Sequence, residues 1–250
     1  MRTAVAAGAL VALSSAISLV PRPAAANPAV YVATPSITEG EREIEAVFGA
    51  QRLGNGGSAS GNKLSFGYGV RSWWATEFAV QWHRDDGERY RYDSWELENR
   101  FALTEPGQYP VDLGLLLEIE RPADRSEGYE LRYGPLLQAQ WGPLQANLNL
   151  LLARHLRAAT PPGANFNYEW QLRWRASPKL DWGMQGFGDT GPWRHWSPSS
   201  DQSHQLGPAL FGRTTVAPGA ALKYDAALLF GTGGAAPTRA LRVRLEYEFF

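Results

Sequence analysis

A period of two, sustained over about ten residues at a time, constrains the fold of this chain more than any other feature. In "VDLGLLLEIE", Val111, Leu113, Leu115, Leu117 and Ile119 fall on one face; Asp112, Gly114, Glu118 and Glu120 fall on the other. "FNYEWQLRWR" sets Phe166, Tyr168, Trp170, Leu172 and Trp174 against Asn167, Glu169, Gln171, Arg173 and Arg175. "KLSFGYGV" and "LQANLNLLLA" behave in the same way. A helix would scatter each apolar set around its axis, whereas a strand keeps it on one side. About twelve such segments follow one another, near 41–53, 62–71, 73–83, 90–103, 108–121, 128–141, 143–155, 165–176, 179–189, 203–215, 219–231 and 238–250. Short connections ("VRSW", "TEPGQ", "WGP", "ASPK", "VAPGA") alternate with longer polar ones ("GNGGSASG", "HRDDGERY", "RPADRSEG", "HLRAATPPGAN", "DTGPWRHWSPSSDQS", "GTGGAAPTR"). Pro or Gly marks four of the short ones, as tight reversals require. The rhythm predicts an all-β, up-and-down meander with two unlike ends.

Segment length and aromatic placement decide what the apolar faces meet. No apolar run after residue 26 approaches the roughly 20 residues of a membrane helix, yet the chain holds ten Trp, ten Tyr and ten Phe. A tilted strand of about ten residues crosses a bilayer, while strands of soluble domains run nearer five or six. On the apolar faces, Trp74, Phe101, Trp141, Trp174 and Phe249 lie toward the short connections; Trp82, Tyr129, Phe166 and Phe230 lie toward the long ones. Two aromatic girdles at two membrane interfaces follow from the amphipathic character of these rings. The sequence therefore predicts a closed antiparallel up-and-down transmembrane β-barrel of about twelve strands over 41–250. Its first strand, "REIEAVFGAQ", pairs with its last, "LRVRLEYEFF", because lipid satisfies no free sheet edge.

That last strand, with Leu241, Val243, Leu245, Tyr247 and Phe249 in phase, resembles the C-terminal assembly signal of Gram-negative outer-membrane β-barrels. It departs from the pattern in carrying Phe250 after the phased aromatic. The resemblance covers the barrel as a class. It implies assembly signal residues Tyr247, Phe249 and Phe250, the barrel assembly machinery and outer-membrane lipid or lipopolysaccharide as partners, and both termini on the periplasmic side.

The N-terminus agrees with export. Arg2, an apolar stretch from Ala4 to Val20 and Ala24–Ala26 have the layout of a signal peptide cleaved after residue 26, which leaves 27–40 as a periplasmic N-terminal segment. Cysteine is absent, so backbone pairing and burial supply the stability. The 24 Lys and Arg nearly balance the 25 Asp and Glu, giving no reason to expect nucleic acid as a partner.

Polar faces turned inward place Glu43, Glu45, Glu77, Glu96, Glu98, Asp112, Glu118, Glu120 and Glu130 on one side of the lumen, with Arg100 and Arg132 against them. Arg173, Arg175, Arg213, Lys223, Arg242 and Arg244 come from the later strands. An acidic wall opposite a basic one would put a transverse field across a pore. Twelve tilted strands leave a bore on the order of 10 Å once side chains are in, so the expected function is a passive channel or uptake pore for small polar or charged solutes. Two alternatives stand beside it. One is a lipid-modifying hydrolase, for which His195 and Ser197 form a His-x-Ser arrangement similar to that of lipid A deacylases. The other is a non-conducting structural or adhesive barrel with its interior charges paired. "HQLG" at His204 superficially resembles the outer-membrane phospholipase A stretch but carries Leu206 at the nucleophile's place. No cofactor motif is present, and four His on separate segments suggest no transition-metal site.

Overall fold

The computed structural model describes residues 28–159, 163–177 and 179–250; the leader expected at 1–26 lies outside them. Twelve strands form one closed antiparallel barrel: β1 (Arg42–Arg52), β2 (Ser58–Arg71), β3 (Trp74–Asp85), β4 (Arg91–Ala102), β5 (Asp112–Pro122), β6 (Tyr129–Trp141), β7 (Leu144–Leu156), β8 (Asn165–Trp174), β9 (Asp181–Pro192), β10 (Ser203–Ala217), β11 (Ala220–Gly231) and β12 (Arg239–Phe249). Each strand pairs with the next, and β12 returns to β1 with Arg42 opposite Phe249 and Arg52 opposite Arg239. Closure leaves no strand with an unpaired edge, the condition for a sheet in hydrocarbon.

The two faces invert the arrangement of a soluble protein. Outward-facing Ile44, Phe48, Leu64, Phe66 and Leu241 are 46–51% exposed, whereas inward-facing Glu45, Asn149 and Arg242 are at most 1% exposed. Strands of ten to fifteen residues are long enough to cross a bilayer at the usual tilt.

The chain reverses in two residues at 72–73, 142–143 and 218–219, on the rim that also holds the start of β1 and the end of β12. Gly142 (φ 57°) and Gly219 (φ 73°) supply the left-handed backbone for two of these turns. The alternation of short and long connections is looser than the sequence suggests. The link around "TEPGQ" spans 103–111, longer than the 53–57 and 86–90 loops on the opposite rim. The Gly/Ser-rich stretch expected as a surface loop instead starts β2 at Ser58, where Ser60 accepts a hydrogen bond from Tyr90 Oη at 2.9 Å and Gly61 pairs with Gly49. Small side chains do not prevent ladder pairing where neighbours crowd the strand.

The largest departure concerns the segment expected at 27–40 as periplasmic. Residues 28–40 run inside the barrel. From the short-turn rim, where the Gly40 N–H donates to Gly69 O at 2.8 Å, the extended chain climbs past Gln138 and Gly114 to Gly49. Alternate side chains point to opposite walls. Ala29, Tyr31 and Ala33 pack with Val47, Leu116, Leu136 and Leu151. Val30 and Val32 pack with Phe187, Ala209, Phe211, Ala227, Leu229 and Ala240. Those inward apolar residues break the polar parity of their strands, and the segment is what they bury against. Two wall positions admit no side chain: a Cβ at Gly49 would lie 1.9 Å from Pro28 O, and one at Gly69 would lie 2.0 Å from Thr38 O.

Candidate functional site

All nine acidic residues expected in the lumen lie on inward-facing positions, and each finds a local partner or a close acidic neighbour. Lys63, which the sequence reading passed over, contacts Glu96 and stands 3.5 Å from Glu77. Arg100 joins Glu43 at 2.9 Å and Glu98 at 3.1 Å. Arg132 bridges Glu118 at 3.5 Å and Glu169 of β8. Glu45 contacts Arg244, and Glu130 lies 3.0 Å from His155. Asp112, near the short-turn rim, accepts the Gly107 N–H at 2.7 Å. Glu120 shares a cluster with Glu96 and Glu118, with carboxylate oxygens within 4.8 Å of one another; Lys63 and Arg132 beside it supply the countercharge.

The expected basic wall is corrected by the carboxylates interleaved with it. Arg173, Arg213, Lys223, Arg242 and Arg244 do face inward. Yet Arg173 pairs with Asp181 at 2.7 Å, Arg213 with Glu248 at 3.3 Å and Lys223 with Glu246 at 3.0 Å. Arg242 contacts Asp225 and Gln185, and Arg244 stands 2.7 Å from Glu246. Arg175 lies just past the end of β8 and donates to Gln145 Oε1 at 2.6 Å. Buried charges in a medium of low dielectric demand a partner at contact distance, and β12 supplies both signs from one strand. A long-range field between two walls therefore gives way to short local pairs.

Between these groups runs a strip of amides. Gln145 and Gln171 both donate to Asn147 Oδ1, at 2.9 and 3.0 Å. Asn147 donates to Gln138 at 2.9 Å, and Gln185 donates to Gln171 at 3.2 Å. The sequence signal for this strip is the alternation of Gln145, Asn147 and Asn149 in β7.

The N-terminal segment divides the lumen. Tyr31 sits among the ion pairs, its hydroxyl 3.4 and 3.5 Å from the Glu98 carboxylate oxygens, with Lys63 4.8 Å and Arg244 4.4 Å from its ring centroid. On the short-turn side of the segment a cavity of about 270 Å³ remains, lined in part by Gln138, Gln145, Gln171, Arg175, Lys223 and Glu41. Burial, reinforced by the Glu248 charge, pushes the Glu41 carboxyl up to about 7.

Outward aromatics lie toward both rims. Trp74 stacks on Phe101, Trp174 on Trp182 and Tyr247 on Phe249 near the short turns; Trp141 is exposed there. At the other rim Phe166 stacks on Trp196, Tyr129 lies under Arg121 at 4.5 Å, and Phe230 and Trp82 face outward. Phe250 follows the last ladder pair and is 65% exposed. His195 and Ser197 lie in the loop after β9, where Ser197 N–H donates to Thr190 O at 2.9 Å. Among the described residues no hydrogen bond joins His195 to Ser197.

With this geometry the chain can be set beside solved structures. An outer membrane channel from Pseudomonas putida F1 is similar over 88% of this chain and 99% of its own, with a TM-score of 0.57 and 9% identity. The KdgM porin in complex with disordered oligogalacturonate is similar over 83% and 98%, with a TM-score of 0.54 and 8% identity. The NanC porin is similar over 84% and 99%, with a TM-score of 0.53 and 9% identity. The fold is that of outer-membrane porins and channels. No protein-family model matches the chain, and neither does any curated protein sequence. At such identities the likeness is one of architecture, and lining residues are free to differ.

Proposed function

We propose that this chain is an outer-membrane channel through which small polar or charged solutes pass passively, in a bore narrowed by its own residues 28–40. The observation that carries the reading is the sidedness of every strand: hydrocarbon-compatible side chains outside, and inside a lining of ion pairs and amides with a polar cavity beside the N-terminal segment. Water and ions follow such a lining because it replaces part of their hydration. Architectural likeness to porins, one of them solved with an oligosaccharide acid, supports the same reading. Short turns and both ends of the barrel then face the periplasm, and the longer loops face outward.

The close seat of residues 28–40 favours a second reading, a barrel closed at rest. One experiment separates the two. Mature protein folded into planar bilayers is expected to show small, steady current steps, and a variant lacking 28–39 larger ones. Silence from both would remove the channel reading; silence from the intact chain alone would make the segment a plug.

A further inference from the structure

Five arginines stand on the outward face at the long-loop rim, each two residues beyond an apolar outward position: Arg52 after Ala50, Arg84 after Trp82, Arg121 after Ile119, Arg154 after Leu152, and Arg239 before Leu241. The strand registers fix their direction. Arg52 and Arg239 are opposite one another across the β1–β12 pair. Arg84 pairs with Ser60, which shares a face with Leu64 and Phe66. Arg121 is opposite Trp95, and Arg154 is opposite Leu131.

These cations differ from those of the lumen in having no acid. None of the five has a carboxylate within 4.0 Å among the described residues, whereas Lys63, Arg100, Arg132, Arg173, Arg242 and Arg244 are all ion-paired. Two of the five are held over rings at the interface, Arg84 over Tyr90 at 4.9 Å and Arg121 over Tyr129 at 4.5 Å. At the short-turn rim the pattern is sparse among the described residues: Arg42 alone repeats it, over Tyr68 at 5.9 Å, while Arg71 has Glu39 at 3.6 Å. Arg121 also donates to the Gly128 carbonyl. An arginine one step above the hydrocarbon band, with its aliphatic stem toward apolar surface and no carboxylate against its guanidinium, is placed where lipid phosphates lie.

We propose that the outer face of the long-loop rim is a binding surface for the phosphate groups of the phosphorylated glycolipid of the outer leaflet. It has two stations, Arg239, Arg52 and Arg84 around β12, β1 and β3, and Arg121 with Arg154 on β5 and β7. Arg52 and Arg239 stand on neighbouring strands about 4.8 Å apart, so the two guanidiniums can meet one phosphate; Arg84 from Arg52, and Arg121 from Arg154, are two strands apart, roughly 10 Å, a spacing that suits separate phosphates of one lipid or of neighbours. The planar fork of arginine matches phosphate oxygens in pairs. The assignment of this rim to the outer leaflet rests on the orientation given under the proposed function.

The test uses the mature chain folded in neutral detergent micelles, with folding checked by resistance to SDS at room temperature, and titration with bis-phosphorylated lipid A followed by native mass spectrometry. Binding is expected to weaken about fivefold for each arginine removed, hence roughly 25-fold in R121Q/R154Q and in R52Q/R239Q, with less than about a twofold change in R42Q at the other rim. Arg→Lys versions of each pair are expected to fall between. Dephosphorylated lipid A is expected to bind as weakly to the native chain as lipid A binds to the double variants. Unchanged binding in either folded double variant, or equal binding of the dephosphorylated lipid, overturns the proposal; equal binding of phosphatidylglycerol overturns the choice of the glycolipid. If one double variant does not fold, the other carries the same test. Because binding is read without current, a barrel that fails to conduct still answers this question.

Discussion

Replacing Tyr31 by alanine is expected to unseat the N-terminal segment and enlarge the conducting path. Tyr31 is 8% exposed and packs with Val47, Leu116, Leu136 and Leu151. Loss of a buried aromatic ring costs about 3–5 kcal/mol, transfer and cavity terms together. The two cations over the ring would each lose a contact of about 0.5–2 kcal/mol, part of which that figure already includes. At about 1.4 kcal/mol per tenfold, the ratio of unseated to seated segment rises roughly a hundredfold to a few thousandfold. Tyr31→Phe keeps the ring and loses only a hydroxyl whose distances to Glu98, 3.4 and 3.5 Å, sit at the long limit of a hydrogen bond. Its effect is expected to be about twofold. Two readouts apply: single-channel conductance, and maleimide labelling of Thr34→Cys, a unique thiol because the chain has no cysteine. Equal labelling rates and equal conductance in Tyr31→Ala and the parent would show that the ring does not hold the segment. Gly49→Val approaches the same end from the wall side, since its Cβ would lie 1.9 Å from Pro28 O.

Three further outcomes are expected. Lys63→Met leaves Glu96 and Glu77, both under 5% exposed, without their cation, and should destabilise the folded barrel by about 3–5 kcal/mol in urea titrations in lipid; a change below about 1 kcal/mol would mean that water reaches these carboxylates. Phe249→Ala should lower the fraction of heat-modifiable barrel recovered from membranes, because Phe249 pairs with Arg42 and stacks on Tyr247, whereas Phe250→Ala, beyond the ladder, should not; the reverse result would place the assembly signal on Phe250. For Glu41 the sign follows from a folded pKa of about 7 against 4.5 for the free group, caused first by burial and then by Glu248. The folded state binds more protons between those values, so stability falls as pH rises from about 4.5 to 7. The Thr34→Cys labelling rate, divided at each pH by the rate of the same cysteine in Glu41→Gln so that thiolate ionisation cancels, should therefore rise across that window; a flat ratio would place Glu41 in ordinary solvent.

The barrel was legible because its determinants are local. Alternation in β5, β8 and β12 needs only the two-residue period of a strand, and the turns at 142–143 and 218–219 need only Gly and Pro. The aromatic girdles follow from the same alternation read against strand ends. Inward placement of the acidic and basic residues was equally visible, since parity alone decides which face a side chain occupies.

What the sequence could not decide is where separate segments meet. Parity puts Arg244 inward but does not say that it reaches Glu45 across the closing strand pair, nor that Lys63 lies between two acids from β3 and β4. The course of residues 28–40 was the least legible feature. "PAVYVATPSITEG" is short and alternates weakly, and its partners are single apolar residues spread over many strands, Val47, Leu116, Leu136, Leu151, Phe187, Phe211 and Leu229. In the sequence each is a single apolar residue on an otherwise polar face; only closure of the sheet gathers them around one axis. One-dimensional periodicity therefore determines which face of each strand meets lipid, because that is a property of neighbours in the chain. Whether the interior stays open is decided by contacts between residues that become neighbours only when twelve strands curve into a ring.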